Sequence, residues 1–355
     1  MSDSIHHSGG VVCEPVDLPA GHCHLDMNYC HIKYSDKAFM GAVTSAERAE
    51  DSIEMARILF GRETIGNNCC LTSLINVNSP LVLDGTMSGA LKVYARAGQG
   101  VVVSPFLIAG AMGPVSIASN LAQTLAESMA VIALAQLINP GTPVLLALLS
   151  TAINMRTGAP ARGPEPTLTL LGFGQLARRL GVPWRGGGSH STSKILDAQC
   201  MQEASSFIMA TALAGTNFVI HSAGSLEGGL SMSYEKFVTD ADNLANIQRL
   251  LAGIDLSEDE FGLDAYHEVG PGNHFLGCAH TMARYKDAFF ESALNDSNSF
   301  EQWSEHGSTD LAQRANTCWK KMLADYQPPP LDPAVDEELL SFMARRKQEL
   351  PENPL

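Results

Sequence analysis

Short, nearly unbroken apolar runs alternate along the chain with longer stretches in which apolar residues recur every three or four positions. The short runs are Cys30 to Tyr34, Cys70 to Val77, Val101 to Ile108, Pro143 to Ser150, Pro183 to Gly186, Phe218 to Ser222 and Ala265 to Val269. Continuous apolar character, in place of strict alternation, is what a parallel strand covered on both faces shows. The longer stretches have helix ends. Thr44-Ser45-Ala46-Glu47 predicts a capping box, with Ile53, Ala56 and Leu59 at helical spacing behind it. A helix from Ser116 to Ile138 is stopped by Asn139-Pro140-Gly141, and one from Asp197 to Ala214 ends on Gly215, a left-handed cap.

Uninterrupted β-α alternation predicts a parallel sheet, doubly wound or closed into a barrel. Ser4 to Val12 supplies an eighth strand, and eight units over about 280 residues approach the ~250 of a (β/α)8 TIM barrel. The expected fold is therefore α/β, a (β/α)8 TIM barrel over residues 1–294. Residues 295–355, with Trp303, Trp319 and the break Pro328-Pro329-Pro330, are expected to form a C-terminal helical extension packing on the barrel.

Composition narrows the partners. Lys and Arg number 23 against 38 Asp and Glu, a net charge of −15, which opposes nucleic acid and anionic membrane surfaces. Apolar runs such as Met129 to Ala135 and Val144 to Leu149 fall short of the ~20 residues that span a bilayer, and the N-terminus carries no export pattern, so a cytoplasmic location is expected. The eight cysteines follow no framework and are expected to be reduced thiols. The segment up to Lys37 is rich in His and Cys, but no CxxC pair or HExxH helix organises them, and no metal site is expected.

In a barrel the site is built from loops after the C-terminal strand ends. Those loops hold Asn76 to Ser79, Ala109 to Gly113, Asn154 to Arg156, Gly186 to His190, His221 to Gly229 and Pro271 to Phe275, nearly all small, amide or hydroxyl residues. Glycines there let backbone approach a ligand closely. Glu227, directly after an apolar strand, is either ion-paired, a helix-cap partner, or part of the chemistry. His190, His221 and His274 each fit a hydrogen-bonded rim histidine taken singly, and a site taken together. Gly186 to Ser189 could alternatively cradle a phosphate, although neither GxxxxGK[ST] nor GxGxxG is present. No cysteine lies in an electropositive turn that would make it a nucleophile. These features describe an acidic barrel enzyme with a small, polar mouth and do not name its reaction.

Longer motifs do more. HLDMNY (24–29), TSLINVNSPLVLDGTM (72–87), PFLIAGAMGPV (105–115), GQLARRLGVPWRGGG (174–188), SKILDAQ (193–199), NFVIHSAGSLEGGLSMSYEKFVTDAD (217–242), EVGPGNHFLGCAHT (268–281) and PPPLDPAVDEEL (328–339) resemble the trimethylamine methyltransferase family of corrinoid-dependent (β/α)8 enzymes. The resemblance covers essentially the whole chain. It implies methyl transfer from a methylated amine to the Co(I) corrinoid of a separate protein, no tightly bound cofactor, and a homo-oligomer. With only standard residues, the chain resembles the branch without pyrrolysine, which includes glycine betaine methyltransferases. On that resemblance Glu227, His221 and His274 are the expected catalytic residues. Asn76, Asn78, Arg156, His190, Asn273 and Phe275 are the expected substrate-binding ones, with Glu227 and Phe275 facing the cation and the amide, imidazole and guanidinium groups available to a carboxylate. Family members are usually longer at the N-terminus, so an inactive paralogue that only binds the amine or the corrinoid protein is a second expectation. A barrel lyase or aldolase on a phosphate-bearing substrate is a third, disfavoured because Lys194 lies outside any strand.

Overall fold

The computed structural model describes residues 3–11 and 14–352. In chain order, α1 (Cys23–Tyr34), α2 (Ala46–Phe60) and α3 (Arg62–Asn67) precede β1 (Thr72–Val77). There follow α4 (Gly85–Arg96), β2 (Gly100–Ala109), α5 (Ile117–Ile138), β3 (Val144–Ala147), its continuation β4 (Leu149–Ile153) and a short return strand β5 (Pro160–Ala161). Next come α6 (Pro164–Leu180), β6 (Trp184–Gly187), α7 (Ala198–Leu213), β7 (Phe218–Ile220) and the hairpin of β8 (Ser225–Leu226) and β9 (Ser231–Met232). The chain ends in helices: α8 (Tyr234–Leu251), α9 (Glu258–Phe261), α10 (Leu263–Val269), α11 (Ala279–Arg284), α12 (Phe300–Glu305), α13 (Leu311–Ala324) and α14 (Pro333–Glu349).

The strands run parallel and in chain order, each beside its predecessor, as barrel topology requires: β1 on β2, β2 on β3 and β4, β3 on β6, β6 on β7. Two parallel bridges extend the arc before β1, Met40 to Thr72 and His7 to Ala38. Its two ends meet through side chains: His7 sets its ring edge-on to Phe218 at 5.1 Å, and Ile5 packs with Ala223 and Ala241.

Strand alternation sorts the side chains into two layers. Met40, Leu74, Val102, Leu145, Ala147, Phe218 and Ile220 form the inner cluster. Ile75, Val101 and Val103 face the helices in one outer core, and Leu146 and Trp184 in another with Phe173 and Phe207. Asn76 shares the inward face with Leu74, beside buried Ser104.

Several expected elements fall elsewhere. Cys30 to Tyr34 is not a strand but the last turn of α1, whose buried Leu25, Asn28 and Ile32 repeat at helical spacing; the place in the arc goes to Ala38 and Met40. Ser4 to Val12 contributes one bridge rather than a strand. It is interrupted at Gly9, φ +76°, and Val12 lies outside the described residues. Ala265 to Val269 is helix α10, with Ala265 its one buried residue and Gly262 and Gly270 at its ends. A half-polar five-residue run lacks the apolar second face that a barrel strand needs. Ser45, not Thr44, caps α2, accepting from the Arg48 amide, and no capping box forms there.

α5 is long and apolar enough by length and composition to cross a membrane. Here it lies against β2, α4 and α6. The C-terminal helices are tied in at two places. On α14, Arg346 bonds Asp51 of α2 (Nε to Oδ1, 2.7 Å) and Glu47 (2.8 Å), and His24 of α1 completes the cluster at 2.9 Å from Asp51. Burial alone would raise the Asp51 carboxyl, but the bonds from His24 and Arg346 outweigh it and hold it below its ordinary range. On α8, Glu235 accepts from Asn316 (2.8 Å) and Trp319 (2.9 Å) of α13.

Candidate active site

Arg185 is the first polar side chain to place. It follows Trp184, whose indole is in the outer core, so it points inward, in register with Ala147 and Phe218 of the inner cluster. It is 0% exposed. Its Nη2 lies 2.9 Å from Nδ1 of His221, its Nη1 reaches the Leu148 carbonyl only at 3.5 Å, and its Nε has no partner. Burial lowers the guanidinium to about 10, which leaves it cationic at neutral pH.

His221 follows β7 and His190 follows β6, and their rings meet at 4.7 Å. His190 is 3% exposed; its Nδ1 faces Ser225 Oγ at 3.2 Å while its Nε2 is unpartnered. His221 keeps part of its surface open at the mouth, but its ring is sunk among protein atoms. Burial first, then the Arg185 and Arg162 cations, lower it to about 3. The same causes, with His221 and Lys236 adding, hold His190 well below the ordinary range. Both imidazoles are neutral at physiological pH. Arg162, between β5 and α6, lies 4.8 Å over the Phe207 ring with a buried Nη1 that also has no partner. It lines a cleft of about 370 Å³ with Ile153, Met155 and Glu165, next to the ends of β2 and β4.

The loops carrying these groups are fixed from behind. Lys236 of α8 donates to the Ser189 carbonyl at 2.7 Å and pairs with Asp240, both side chains fully buried, and Asp240 accepts from the Gly224 amide at 2.8 Å. One ion pair thus bolts the β6 and β7 loops together. Burial raises the Asp240 carboxyl to about 6, while Lys236 and Gly224 pull it down. Glu203 accepts from Ser191 and from the Thr192 amide and hydroxyl. Gly188 packs so closely that a Cβ there would overlap the His221 carbonyl. After β1, buried Glu127 of α5 holds Ser79 Oγ (2.6 Å) and the Leu81 amide (2.9 Å).

The expected site residues divide into groups. His190 and His221 come together, and Asn76 faces inward on β1. Glu227 is exposed on the turn between β8 and β9. That turn is anchored by Glu227 N to Ser193 O (2.9 Å) and Gly228 N to Ser191 O (2.7 Å), and it passes beside His190 at Gly229. No ion pair or helix cap engages the Glu227 carboxylate among the described residues. His221 and Glu227 both hold left-handed backbone, φ +60° and +50°, a strain of about 1–2 kcal/mol each that clusters at working sites. Asn78 bridges back to Val82, and Arg156 is exposed in the turn before β5. Asn273, His274 and Phe275 do not follow a strand. They lie exposed between α10 and α11, where Asn273 Nδ2 bonds the Val269 carbonyl (2.9 Å) and Phe275 meets Tyr266 edge-on at 5.3 Å.

Arg185, Arg162 and the Lys236–Asp240 pair were absent from the sequence expectations. For Arg185 a signal existed: a charge inside a short apolar strand, one position after a tryptophan that must face the helices.

A family model described as trimethylamine methyltransferase (MTTB) matches residues 1–351. The chain belongs to the trimethylamine methyltransferase family. A glycine betaine methyltransferase of Desulfitobacterium hafniense (strain Y51) is 43% identical over 353 residues, 99% of this chain and 74% of that protein. Trimethylamine methyltransferase MttB2 of Methanosarcina mazei is 32% identical over 271 residues, 76% of this chain and 54% of that protein. The chain therefore spans about three quarters of the first relative and about half of the second. Among solved structures, the one described as "Crystal structure of the hydroxylamine MtmB complex" aligns with TM-score 0.38 and 14% identity over 83% of this chain and 57% of that chain, too distant to add to the fold described above. Two of the family-like stretches, 174–188 and 217–242, carry Arg185, His221, Glu227 and the Lys236–Asp240 pair.

Proposed function

We propose that this member of the trimethylamine methyltransferase family moves a methyl group from a quaternary or tertiary methylated amine to the Co(I) corrinoid of a separate protein, the corrinoid being a substrate and not a resident cofactor. The observation that carries this is the 43% identity to a glycine betaine methyltransferase along 353 residues, in a chain whose barrel mouth gathers Arg185, His190 and His221. In such a transfer the C–N bond breaks with its electron pair passing to nitrogen, and cobalt supplies the pair for the new bond to carbon. The amine leaves neutral, and no proton has to move when the donor is quaternary. Imidazoles held neutral suit a site that needs no acid. The protein's contribution is then to aim one methyl at the opening and exclude water, which is catalysis by positioning.

On this reading Glu227 faces the ammonium, Asn76, His190 and His221 line the pocket, and Asn78 and Arg156 stand at its rim. Asn273, His274 and Phe275 enter it only as residues of the outer helical arm. The reading places the protein in the cytoplasm, where Co(I) and the free thiols at Cys23, Cys30, Cys69, Cys70, Cys200, Cys278 and Cys318 stay reduced.

The test mixes the purified chain with cob(I)alamin and a panel of methylated amines and follows methylcob(III)alamin by its absorbance. Turnover that depends on both amine and protein is expected. Amine binding by calorimetry without turnover would replace the transferase with a binding protein.

A further inference from the structure

We infer that the protein carries a second ligand site at the end of the barrel opposite its mouth, an anion site that takes a phosphate or diphosphate group. It stands apart from the methyl-donor reading and does not depend on it.

The mouth lies where the strands end. Where they start, the last turns of α2 and α4, the short α3, the turn into β2 and the end of α5 surround a cavity of about 250 Å³. Its lining includes Arg57, Arg62, Arg96, Gly66, Gly98 and Asn139. Three guanidiniums, each from a different helix, thus converge on one space in a chain whose net charge is −15. Arg57 and Arg96 stand in the last turns of α2 and α4, where the helix dipole favours a cation taken singly. That account does not extend to Arg62, which opens α3, the end at which a cation is disfavoured.

The acids present do not neutralise the group. Glu54 accepts from Arg57 at 3.2 Å and also from Arg62, and among the described residues no other carboxylate pairs with any of the three. Arg96 has neither a hydrogen bond from its side chain nor an ion pair among them. Three cations against one carboxylate leave a surplus of two positive charges around the cavity.

The wall behind it is held firmly. Gln99 is 0% exposed; its Nε2 donates to the carbonyls of Ile65, Asn68 and Ala97, and its Oε1 accepts from the Cys70 and Leu71 amides. Asn139 Nδ2 ties the end of α5 to the Ala95 carbonyl at 2.8 Å. These bonds fix α3, the turn into β2 and α5 to one another, so little ordering is left for a ligand to impose. Guanidinium forks match phosphate oxygens two at a time. The cavity is smaller than the ~300–1,000 Å³ of sites for drug-sized ligands, so it has room for the phosphate groups and not for a nucleoside attached to them.

Titration calorimetry on the full chain at constant ionic strength tests this, with inorganic pyrophosphate, inorganic phosphate, ADP and acetate as probes. Wild type is expected to bind one pyrophosphate, about 10-fold more tightly than phosphate and more tightly still than acetate. Arg96→Gln and Arg62→Gln are each expected to lose about 10-fold in pyrophosphate affinity, the worth of a charge-assisted hydrogen bond. Glu54→Gln is expected to act in the opposite direction and tighten binding by about 3-fold or more, because it frees two guanidiniums from a competing carboxylate. Arg185→Gln, at the mouth, is expected to leave it unchanged. Binding of ADP as tight as that of pyrophosphate would keep the site and show that its diphosphate can arrive on a nucleotide. The absence of a saturable heat with pyrophosphate, undiminished affinity in Arg96→Gln, weaker binding in Glu54→Gln, or loss of binding in Arg185→Gln would each overturn the inference.

Discussion

His221 shows how much of the site's chemistry is set by where one ring is put. The folded protein holds it neutral down to about pH 3, while an unfolded chain protonates it below about 6.5. A depressed folded value means that its contribution to stability is fully present above pH 6.5 and is withdrawn as pH falls toward 3. The imidazole carbon-proton signals of His221 in the folded protein are therefore expected to stay constant between pH 8 and 5. In Arg185→Gln, where one of the depressing cations is gone, a titration is expected to move up toward the ordinary range. A wild-type His221 titrating near 6.5 would show that burial and Arg185 do not act on the ring as described. At this scale the sequence was informative about type and poor about depth. Histidines at strand ends could be picked out, whereas the burial of Arg185 depends on which face of β6 it occupies, and that follows only once Trp184 has been assigned outward.

At the scale of elements, the runs that became β1, β2, β3 with β4, β6 and β7 were legible because a parallel strand covered on both sides must be apolar throughout. Cys30 to Tyr34 and Ala265 to Val269 misled for the opposite reason: short, mixed runs look alike in strand and helix, and only the buried neighbours Leu25 and Asn28, or the bounding Gly262 and Gly270, separate them. The loops after β6 and β7, which hold His190 and His221, follow strands as expected. The placement of Asn273, His274 and Phe275 failed with the strand it depended on. Residues 295–355 were expected to form a helical extension packing on the barrel; within them α14 lies against α1 and α2 and is tied there by an ion cluster that the sequence did not announce. Because Asp51 is 5% exposed and bonded by Arg346, Arg346→Met leaves a buried carboxylate that has lost its guanidinium and keeps its hydrogen bond to the His24 ring. A loss of about 3 kcal/mol in urea unfolding is expected. A change below about 0.5 kcal/mol would mean that α14 is held by its apolar face alone, through Leu339, Phe342 and Met343.

For the whole molecule, the barrel order was legible as repetition, but closure was not. The ends of the arc meet through His7, Ile5, Phe218 and Ala223, side-chain contacts that no periodicity announces. Long-range polar ties were equally hidden. Lys236 and Asp240 sit four residues apart on a helix and read as a surface pair, yet both are fully buried and join two loops of the mouth. Lys236→Met is expected to cost about 3–5 kcal/mol, because Asp240 keeps its burial and loses its counter-charge. Adding Asp240→Asn, which can still accept from Gly224, should restore a substantial part. A double variant no more stable than the single one would mean that Lys236 matters for its bond to Ser189 and not for its charge.

The same pair makes α8 a common shaft. One side of the helix holds the mouth through Lys236 and Asp240, and neighbouring Glu235 grips α13 through Asn316 and Trp319. The Gly224 amide proton is sealed against Asp240 on that shaft. It can exchange with deuterium only when the helix lifts or the loop detaches, so this single backbone proton would serve as a clock for how often the mouth of the barrel opens.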